Sequence, residues 1–484
     1  MSTVAATPVV GTGHQIRRFR SLLADSGFDA GGVRHVLRAG DELLSGPRDL
    51  QVHLRRLAQE PSPLATLVEL FVLGATVPRD RAVAHFAPSG LASAADLGLL
   101  DIAEEVTALV RIVPHDELLI ASDPPNDRQV DHVAGVHRPS ATLAHLTVRN
   151  HVARALDVGT GNGIQALLLA SHAKQVVATD VNKRALAFAA FNAALNGVEN
   201  IELRAGSFFE PVRGERFDLV VANPPYVVSP ESEYLFRDSG LGRDRVSEEL
   251  VRELPHVLTE DAFATVMISW IDGGEDPPRP ATWLAGSGCD GFILHSGKEE
   301  ALASASVWNR EAVSPEEYGE RLNRWADYYR DEGIEALGYG ALVVRRRAEP
   351  NWVRALELPA GRLSPAEEHV ARLFAAQDFL AAEPALLEAR FAFAPGVGLE
   401  QHLAPSHAGW AVQETTLVAS RGLGFRVGLD ANSARIVTML RPDRPLSSAL
   451  TAAATGIATD TDAVRRAGAG LVRRLLELGL LVPA

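Results

Sequence analysis

Residues 155–163 read Ala-Leu-Asp-Val-Gly-Thr-Gly-Asn-Gly, the most informative segment of the sequence. Its apolar first half is typical of a buried strand, while Gly159, Gly161 and Gly163 are typical of a tight turn that opens a helix. Without a Cβ, a glycine backbone can approach a bound ligand closely. Asp157, which ends the strand, can accept a hydrogen bond from an ammonium group or orient the turn. The stretch therefore predicts a strand–turn–helix unit with a ligand site at the turn.

Two other interpretations of this turn stay open, a purely structural turn and a dinucleotide site. A dinucleotide site prefers the spacing G-x-G-x-x-G, with the pyrophosphate at the helix N-terminus. Here the third glycine, Gly163, comes one residue early, and Asp157 precedes the turn. Both features favour a ligand that carries a positive charge over a pyrophosphate.

Polar and aromatic residues follow the next two predicted strands. Asp180 ends the second strand, where a carboxylate can accept hydrogen bonds from both hydroxyls of a ribose. The alternative is that Asp180 caps a helix that begins near Asn182. After the third strand, Ser207 and Phe208 could flank an adenine with a backbone amide and an aromatic edge, although Phe208 could equally be a core residue.

The motif Asn223-Pro224-Pro225-Tyr226 directly follows the fourth predicted strand. Two consecutive prolines fix φ and offer carbonyl oxygens without competing amides, and Asn223 adds a side-chain carbonyl. Together these acceptors can hold both hydrogens of a planar NH2 group, while Tyr226 supplies a flat face for stacking. A plain proline turn at a strand end is the alternative.

Outward from these motifs, seven β-like runs alternate with helical stretches between residues 123 and 348. This alternation predicts a parallel, doubly wound α/β sheet. The runs are Ala155–Val158, Gln175–Asp180, Ile201–Leu203, Phe217–Val221, Phe263–Ile268, Phe292–His295 and Ala341–Val344.

The flanking regions have different patterns. Residues 14–122 read as short helices, two of them over 79–86 and 92–100, followed by β-like runs over 106–112 and 117–121 that pair as a hairpin. This order predicts a winged-helix-like domain.

Residues 351–484 predict a C-terminal α+β domain, for which a second winged helix is one option. In it, Ser364 and Glu367 form a capping box for a helix that extends to Ala381. The run 415–429 predicts β structure. The run 464–478 predicts a helix that ends at Gly479.

Composition limits the function classes. The chain has 484 residues, 46% of them hydrophobic, and a formal net charge of −14, which disfavours extended nonspecific binding to nucleic acid. One cysteine excludes a disulfide framework and a cysteine-based zinc site, and we expect no metal. No apolar run reaches the length of a membrane span and the N-terminus lacks a secretory signal, so we expect a cytoplasmic protein.

Residues 139–347 resemble the class I S-adenosylmethionine-dependent methyltransferases that methylate amino groups and carry an Asn/Asp-Pro-Pro-Tyr/Phe motif. Within them, Asp180 to Gly197 is similar to the small-domain type, which includes the release-factor glutamine N5-methyltransferases and the ribosomal RNA guanine N2-methyltransferases. The resemblance implies a Rossmann-like seven-stranded sheet and S-adenosylmethionine as cofactor. Its family places an acidic residue where Ser207 stands here.

The resemblance also assigns roles to individual residues. Asp157, Gly159, Thr160 and Gly161 would hold the methionine part, and the ribose and adenine would follow along the sheet edge. Asn223 to Tyr226 would hold the acceptor nitrogen, with Asn223 also next to the cofactor. The remaining candidates are Asp180 for the ribose, Val181 for the cofactor, Ser207 and Phe208 for the adenine, and Ser140 and Thr142 for closure over the cofactor. Apart from the resemblance, the position of Arg237–Gly240 soon after the Asn-Pro-Pro-Tyr motif makes them a candidate lining of the acceptor pocket, with a plain loop as the alternative.

We therefore expect an N-methyltransferase whose acceptor is most simply a protein glutamine. The flanking domains favour a different acceptor, a guanine or adenine base in RNA or DNA. An alternative of another class is a nucleic-acid-binding regulator that senses S-adenosylmethionine, and a third is an NAD-dependent reductase.

Overall fold

The structure, a computed structural model, forms two compact units. One comprises Met1–Ala144 with Asn150–Ala355, and the other His145–Arg149 with Leu356–Ala484. The residues that the structure describes are 6–38, 50–125, 129–231, 242–310, 314–361, 363–382, 385–407, 409–455 and 461–484.

The first unit begins with helices around an apolar core. Helix α1 starts with a capping box in which the Thr12 hydroxyl and the Gln15 side chain each bond the other's backbone amide. Phe19 and Phe71 meet edge to face, with ring centroids 5.8 Å apart, inside this core. The elements are α1 (Gly13–Asp25), α2 (Ala30–Leu37), α3 (Leu50–Gln59), α4 (Pro63–Leu67), a π-helical turn (Val68–Val72), β1 (Val77–Pro78), α5 (Arg79–Asp96), β2 (Leu100–Ile102), β3 (Glu105–Ala108), β4 (Arg111–His115) and β5 (Leu118–Ser122).

Two predictions for this region need correction. The helices predicted over 79–86 and 92–100 are one helix, α5, because the backbone between them stays helical. The β-like run 106–112 is split into β3 and β4, since the chain turns at Leu109, whose amide donates to Leu99. The predicted hairpin exists, but β4 rather than the whole run pairs with β5.

The rest of the first unit is built on one sheet. Among the described residues its eight strands have the order β13-β11-β12-β10-β9-β6-β7-β8. All seven strands predicted from the sequence are present in it. The elements are α6 (Arg138–Leu146), β6 (Val152–Val158), α7 (Ile164–Ala170), β7 (Ala173–Asp180), α8 (Lys183–Asn196), β8 (Ile201–Ala205), β9 (Phe217–Ala222), α9 (Arg245–Val257), β10 (Leu258–Ile271), α10 (Pro280–Trp283), β11 (Cys289–Glu300), α11 (Ala301–Trp308), α12 (Pro315–Asp331), β12 (Ala336–Arg346) and β13 (Val353–Glu357).

The sheet is mixed, so the prediction of a parallel sheet is correct for only part of it. Strands β10, β9, β6, β7 and β8 are parallel to one another, while β12 lies between β10 and β11 and runs antiparallel to both. Because parallel strands end at the same sheet edge, the turns after β6, β7, β8 and β9 lie side by side. That edge is where the motifs of the sequence are brought together.

Helix α8 is buried on more than one face, which explains its apolar composition. Phe188 and Phe191 join the core of the N-terminal helices, whereas Ala193 packs with Ile164 and Leu167 of α7. The helix is capped by Asn182, whose side chain accepts from Arg184, and it ends at Gly197 in the left-handed region (φ 70°). Helix α8 is therefore the element that the N-terminal helices and the sheet share.

The second unit contains a three-stranded antiparallel sheet, a strand pair and helices. The predicted helix end at Gly479 is confirmed, with φ 64°. The predicted capping box at Ser364 is wrong, because helix α13 begins later and the Ser364 hydroxyl instead bonds the backbone of Gly422. The elements are α13 (Glu367–Ala381), β14 (Phe391–Phe393), β15 (Val397–Ser406), β16 (Gly409–Ala419), β17 (Arg426–Leu429), α14 (Ala431–Met439), α15 (Leu446–Ala454), α16 (Thr461–Glu477) and β18 (Leu481–Pro483).

Within the described part of the chain, the structure contains no helix of the length and apolar character that a membrane crossing requires.

Candidate active site

Four parallel strand ends form the site. Strand β6 lies between β9 and β7, and its last residue, Val158, is level with Ala222 of β9 and Thr179 of β7. Neighbouring strands are about 4.8 Å apart, so the residues that follow them form a row along the sheet edge. The row runs from Asn223 through Gly159 and Asp180 to Ser207.

The glycine turn leaves room beside it. Gly159 and Gly161 have φ of 70° and 55°, and a Cβ built at either would meet no described atom within 4 Å. Gly163 differs, because its Cβ would lie 3.0 Å from the Cβ of Ala189. The first two glycines thus border open space, while the third lets α7 pack closely on α8.

Asp157 is held inside the turn. Its side chain is 1% exposed, and its Oδ2 accepts from the Thr160 hydroxyl at 2.6 Å and from the Ala166 amide at 3.0 Å. Burial, with a smaller contribution from the nearby Asp180 carboxylate, raises the pKa of Asp157 to about 7. These contacts are those of a residue that orients the turn, and the hydrogen bond to an ammonium group stays a prediction.

Asp180 connects two turns. Its Oδ2 accepts from the Gly161 amide at 2.9 Å and its Oδ1 from the Asn182 amide at 2.8 Å. Burial raises the pKa of this carboxyl above its usual range. The predicted alternative, in which Asp180 caps α8, is wrong because Asn182 is the capping residue.

An exposed apolar residue follows β7, and a residue with a strained backbone follows β8. Val181 is 53% exposed at the end of β7, although its side chain is hydrophobic. Phe208, after Ser207, has φ 42°, a conformation that costs energy for a residue with a Cβ. The Phe208 ring is only partly buried at the edge of the core, and its carbonyl accepts from the Thr179 hydroxyl at 3.2 Å.

At the near end, Asn223 carries a buried acceptor without a partner. Its Nδ2 donates to the Ser140 hydroxyl at 3.4 Å, whereas its Oδ1 is buried and has no hydrogen-bond partner among the described residues. A buried unpaired acceptor is costly unless a ligand satisfies it. We refer to the four residues Asn223, Pro224, Pro225 and Tyr226 as the acceptor notch, after the hydrogen-bond acceptors that they carry.

The prolines and the tyrosine complete the notch. The Pro224 carbonyl accepts from the Tyr226 amide at 2.8 Å and retains a second lone pair. Ser269 fixes the next segment by donating its hydroxyl to the Tyr226 carbonyl. Burial raises the pKa of the Tyr226 phenol, so the ring stays uncharged. Pro225 lies between them and is partly exposed.

Helix α6 supplies a residue that the sequence marked only as a closure candidate. Ser140 is 6% exposed, and its carbonyl accepts from Gln165 of α7 at 2.7 Å. The hydroxyl of Ser140 also lies 3.1 Å from His137 Nδ1. Ser140 thus links the helix after the glycine turn to Asn223. Thr142 is on the same helix but has no described contact with the notch.

Sequence reasoning missed three residues that hold the segment before α6 against the site. Asn162 Nδ2 donates to the Ala134 carbonyl at 2.9 Å, and Asn182 Nδ2 to the Asp131 carbonyl at 2.8 Å. Arg184 forms a bidentate pair with Asp123, at 2.7 and 3.0 Å. Their polar side chains beside the two motifs were the available signal.

Two points remain, the predicted lining of the acceptor pocket and the question of a metal site. Arg237–Gly240, the predicted lining of the acceptor pocket, falls outside the described residues. Across the described ranges, no group of three or more His, Cys, Asp or Glu side chains is arranged to hold a metal ion.

Comparison with known proteins agrees with this geometry. Residues 134–239 match the family model "Methyltransferase small domain". Residues 25–111 and 371–483 match two models described as domains of unknown function, DUF7059 and DUF7782. The site therefore lies within the residues that match the methyltransferase small domain, on a sheet with a Rossmann-like fold.

Curated relatives are protein glutamine methyltransferases. The chain is 46% identical over 76 residues to "Release factor glutamine methyltransferase" of Xylella fastidiosa strain Temecula1, which is 15% of this chain and 28% of that protein. It is 31% identical over 188 residues to "Ribosomal protein uL3 glutamine methyltransferase" of Bradyrhizobium diazoefficiens (33% and 58%). The protein of the same name from Neisseria gonorrhoeae is 34% identical over 170 residues (31% and 56%). The matches thus span less than two thirds of each of these relatives.

Proposed function

We propose that this protein is an S-adenosylmethionine-dependent N-methyltransferase whose acceptor is a planar NH2 group, that of a protein glutamine side chain. The observation that carries the proposal is the buried Oδ1 of Asn223, which has no hydrogen-bond partner among the described residues and lies one strand away from a glycine turn that borders open space. A cofactor turn and an acceptor for N–H groups at adjacent strand ends are what a methyl transfer to nitrogen requires.

Cofactor binding follows the row of strand ends. Gly159, Thr160 and Gly161 would border the methionine part, with Asp157 fixing the turn and adding negative charge for a cationic ligand. Asp180 would accept the ribose hydroxyls. The exposed Val181 and the backbone and ring at Ser207 and Phe208 would hold the adenine. When bound, S-adenosylmethionine supplies a methyl group made electrophilic by a positively charged sulfur.

Transfer depends on how the notch holds the acceptor nitrogen. An amide nitrogen is a poor nucleophile because its lone pair is delocalised. Hydrogen bonds from the NH2 group to Asn223 Oδ1 and to the free lone pair of Pro224 orient that nitrogen and stabilise the positive charge that develops on it. Tyr226, uncharged, stacks on the amide plane. The nitrogen loses a proton after transfer, so no dedicated base is needed.

The choice of acceptor rests on charge and on similarity. The net charge of −14 disfavours a polyanionic substrate. The names of the relatives, which refer to release factors and ribosomal protein uL3, add support for a protein acceptor. A base in RNA or DNA is the second candidate, favoured by the flanking domains if these bind nucleic acid. A regulator that only senses the cofactor would not need the acceptor notch.

We further propose how the chain is divided. Residues 123–348 form the catalytic domain, with seven strands of the methyltransferase sheet to which β13 adds an edge. Residues 14–122 and 351–484 are flanking domains, of winged-helix-like and α+β type, that select the acceptor.

A labelling experiment tests the function. The full chain is incubated with methyl-labelled S-adenosylmethionine and a cell lysate, and the products are digested separately with protease and with nuclease. We expect label that protease releases and nuclease leaves intact, with methylated glutamine after total proteolysis. Label that nuclease releases would show that the methyl acceptor is a nucleic-acid base and not a protein glutamine. The absence of label would contradict methyl transfer.

A further inference from the structure

Strand β5 is paired by side chains along its outer edge. It bonds β4 on one side, in a hairpin of two strands. On the other side, Asn192 Oδ1 accepts from the Ala121 amide at 2.8 Å and Asn192 Nδ2 donates to the Ala121 carbonyl at 2.9 Å. Asn196 repeats this pattern with Leu119, at 2.9 and 2.8 Å. Two asparagine amides of α8 thus take the place of a neighbouring strand.

The match follows from the geometry of helices and strands. Residues four apart on a helix rise by about 6 Å, and residues two apart on a strand by about 6.6 Å. Both asparagines therefore reach backbone groups on the same edge of β5. A strand edge leaves amides and carbonyls that must find partners when they are buried. The pairing consequently docks the hairpin of the N-terminal region on α8.

The two asparagines differ in their remaining hydrogen. A side-chain amide nitrogen has two hydrogens to donate. Asn196 gives its second one to the Asn192 carbonyl of its own helix, at 2.8 Å. Asn192, which is fully buried, gives its second one to the Asn162 carbonyl at 2.7 Å. Asn162 lies in the glycine turn, between Gly161 and Gly163.

The contact with Asn162 continues through the turn. Asn162 Oδ1 accepts from the Ile164 amide at 3.0 Å, at the start of α7, and Asn162 Nδ2 donates to Ala134. One continuous set of hydrogen bonds thereby runs from Ala121 of the hairpin through Asn162 of the glycine turn to the start of α7 and to Ala134 before α6. Since the turn has two residues next to open space, bonds to its backbone determine its shape without a ligand.

We propose that Asn192 is a positioning residue for the cofactor turn, so that docking of the β4–β5 hairpin on α8 prepares the site for S-adenosylmethionine. The inference rests on the proposed function, because it takes the turn as the cofactor site. Asn192 acts through the Asn162 backbone and touches no reacting atom.

Matched variants test this role. Asn192→Asp and Asn196→Asp both keep an oxygen for the strand amide and both lose the two donated hydrogen bonds, but only the first loses the bond to the turn. Asn192→Ser and Asn196→Ser form a second, uncharged pair in case the buried carboxylate prevents folding. For each full-length variant, the affinity for S-adenosylmethionine is measured by titration calorimetry and the melting temperature by calorimetry without ligand.

We expect both members of a pair to melt earlier by similar amounts. The dissociation constant for S-adenosylmethionine should rise about three- to tenfold in the Asn192 variants only, the value of one neutral hydrogen bond. Hydrogen exchange of the ligand-free protein, followed in peptides that cover residues 159–166, should become faster in the Asn192 variants only.

The outcomes separate the inference from the proposed function. If the unmodified protein fails to bind S-adenosylmethionine, the proposed function is wrong. If it binds and the two variants of a pair have equal affinities and equal exchange in residues 159–166, the positioning role is overturned while the proposed function stands.

Discussion

The glycine turn and the acceptor notch occupy adjacent strand ends but differ in how their polar groups are satisfied. In the turn, Asp157 and Asp180 have hydrogen-bond partners supplied by the chain. In the notch, the Oδ1 of Asn223 is buried without one among the described residues. The difference indicates a division of tasks. Under the proposed function, the turn is shaped before the cofactor binds, while the notch keeps a hydrogen-bond acceptor for the group that reacts.

The largest effect should come from the notch. We expect Asn223→Ala to lower the rate of methyl transfer by about 10²–10³-fold, because it removes a preorganised acceptor, and to leave cofactor affinity nearly unchanged. Single-turnover transfer and calorimetric titration measure the two quantities. Asn200→Ala is the control, since Asn200 is likewise a partly buried asparagine whose Nδ2 donates within the chain, to Ala170 and Ala173, but it lies before β8. Unchanged transfer in Asn223→Ala would exclude the notch from the mechanism.

A substitution in the glycine turn should weaken cofactor binding and change the rate of methyl transfer less. Asp180→Asn loses the charge that supports two backbone amides, so we expect the dissociation constant for S-adenosylmethionine to rise about 10- to 100-fold. Transfer at saturating cofactor should change less. Asp218→Asn is a matched control because Asp218 accepts from the Ala153 and Arg154 amides at the other end of the strands. Equal losses of affinity in both variants would assign Asp180 a purely structural role.

The raised pKa of Asp157 makes the turn sensitive to pH. Because this pKa is about 7 in the folded chain and about 4 when unfolded, stability of the ligand-free protein should fall as pH rises from about 4 to 7. A cationic ligand favours the ionised carboxylate, so the dissociation constant should improve about tenfold between pH 6 and pH 8. Calorimetry with unmodified protein and Asp157→Asn measures this. A pH dependence that persists in the variant would place the titrating group elsewhere.

The smallest effect on the transfer rate is expected at Ser140, which connects α7 after the glycine turn with Asn223 of the notch. Ser140→Ala removes the hydroxyl that accepts from Asn223 Nδ2, so the amide can rotate and present its NH2 group to the acceptor. We expect the maximal rate to fall about three- to tenfold, with the KM for the acceptor and the cofactor affinity unchanged. Ser140→Thr, which keeps the hydroxyl, should restore the rate. An equal loss in both variants would contradict the orienting role.

Local patterns predicted the strands and the residues of the site edge. The seven apolar runs are all strands because each is buried in one sheet, and their carboxyl ends carry the motifs. Tertiary contacts account for what was missed. Ser364 matched a capping box but bonds Gly422, which is far away in the sequence. Asn192 gives no local sign of its role, because that role exists only when β5 and the glycine turn meet at α8.

A crystal structure with S-adenosylhomocysteine and a glutamine-containing acceptor peptide tests the central claim most directly. We predict the ligand along the row from Asn223 to Ser207, with the glutamine nitrogen about 3 Å from Asn223 Oδ1 and facing the sulfur across the space of one methyl group. A ligand bound elsewhere, or a sulfur that faces away from the notch, would contradict the account.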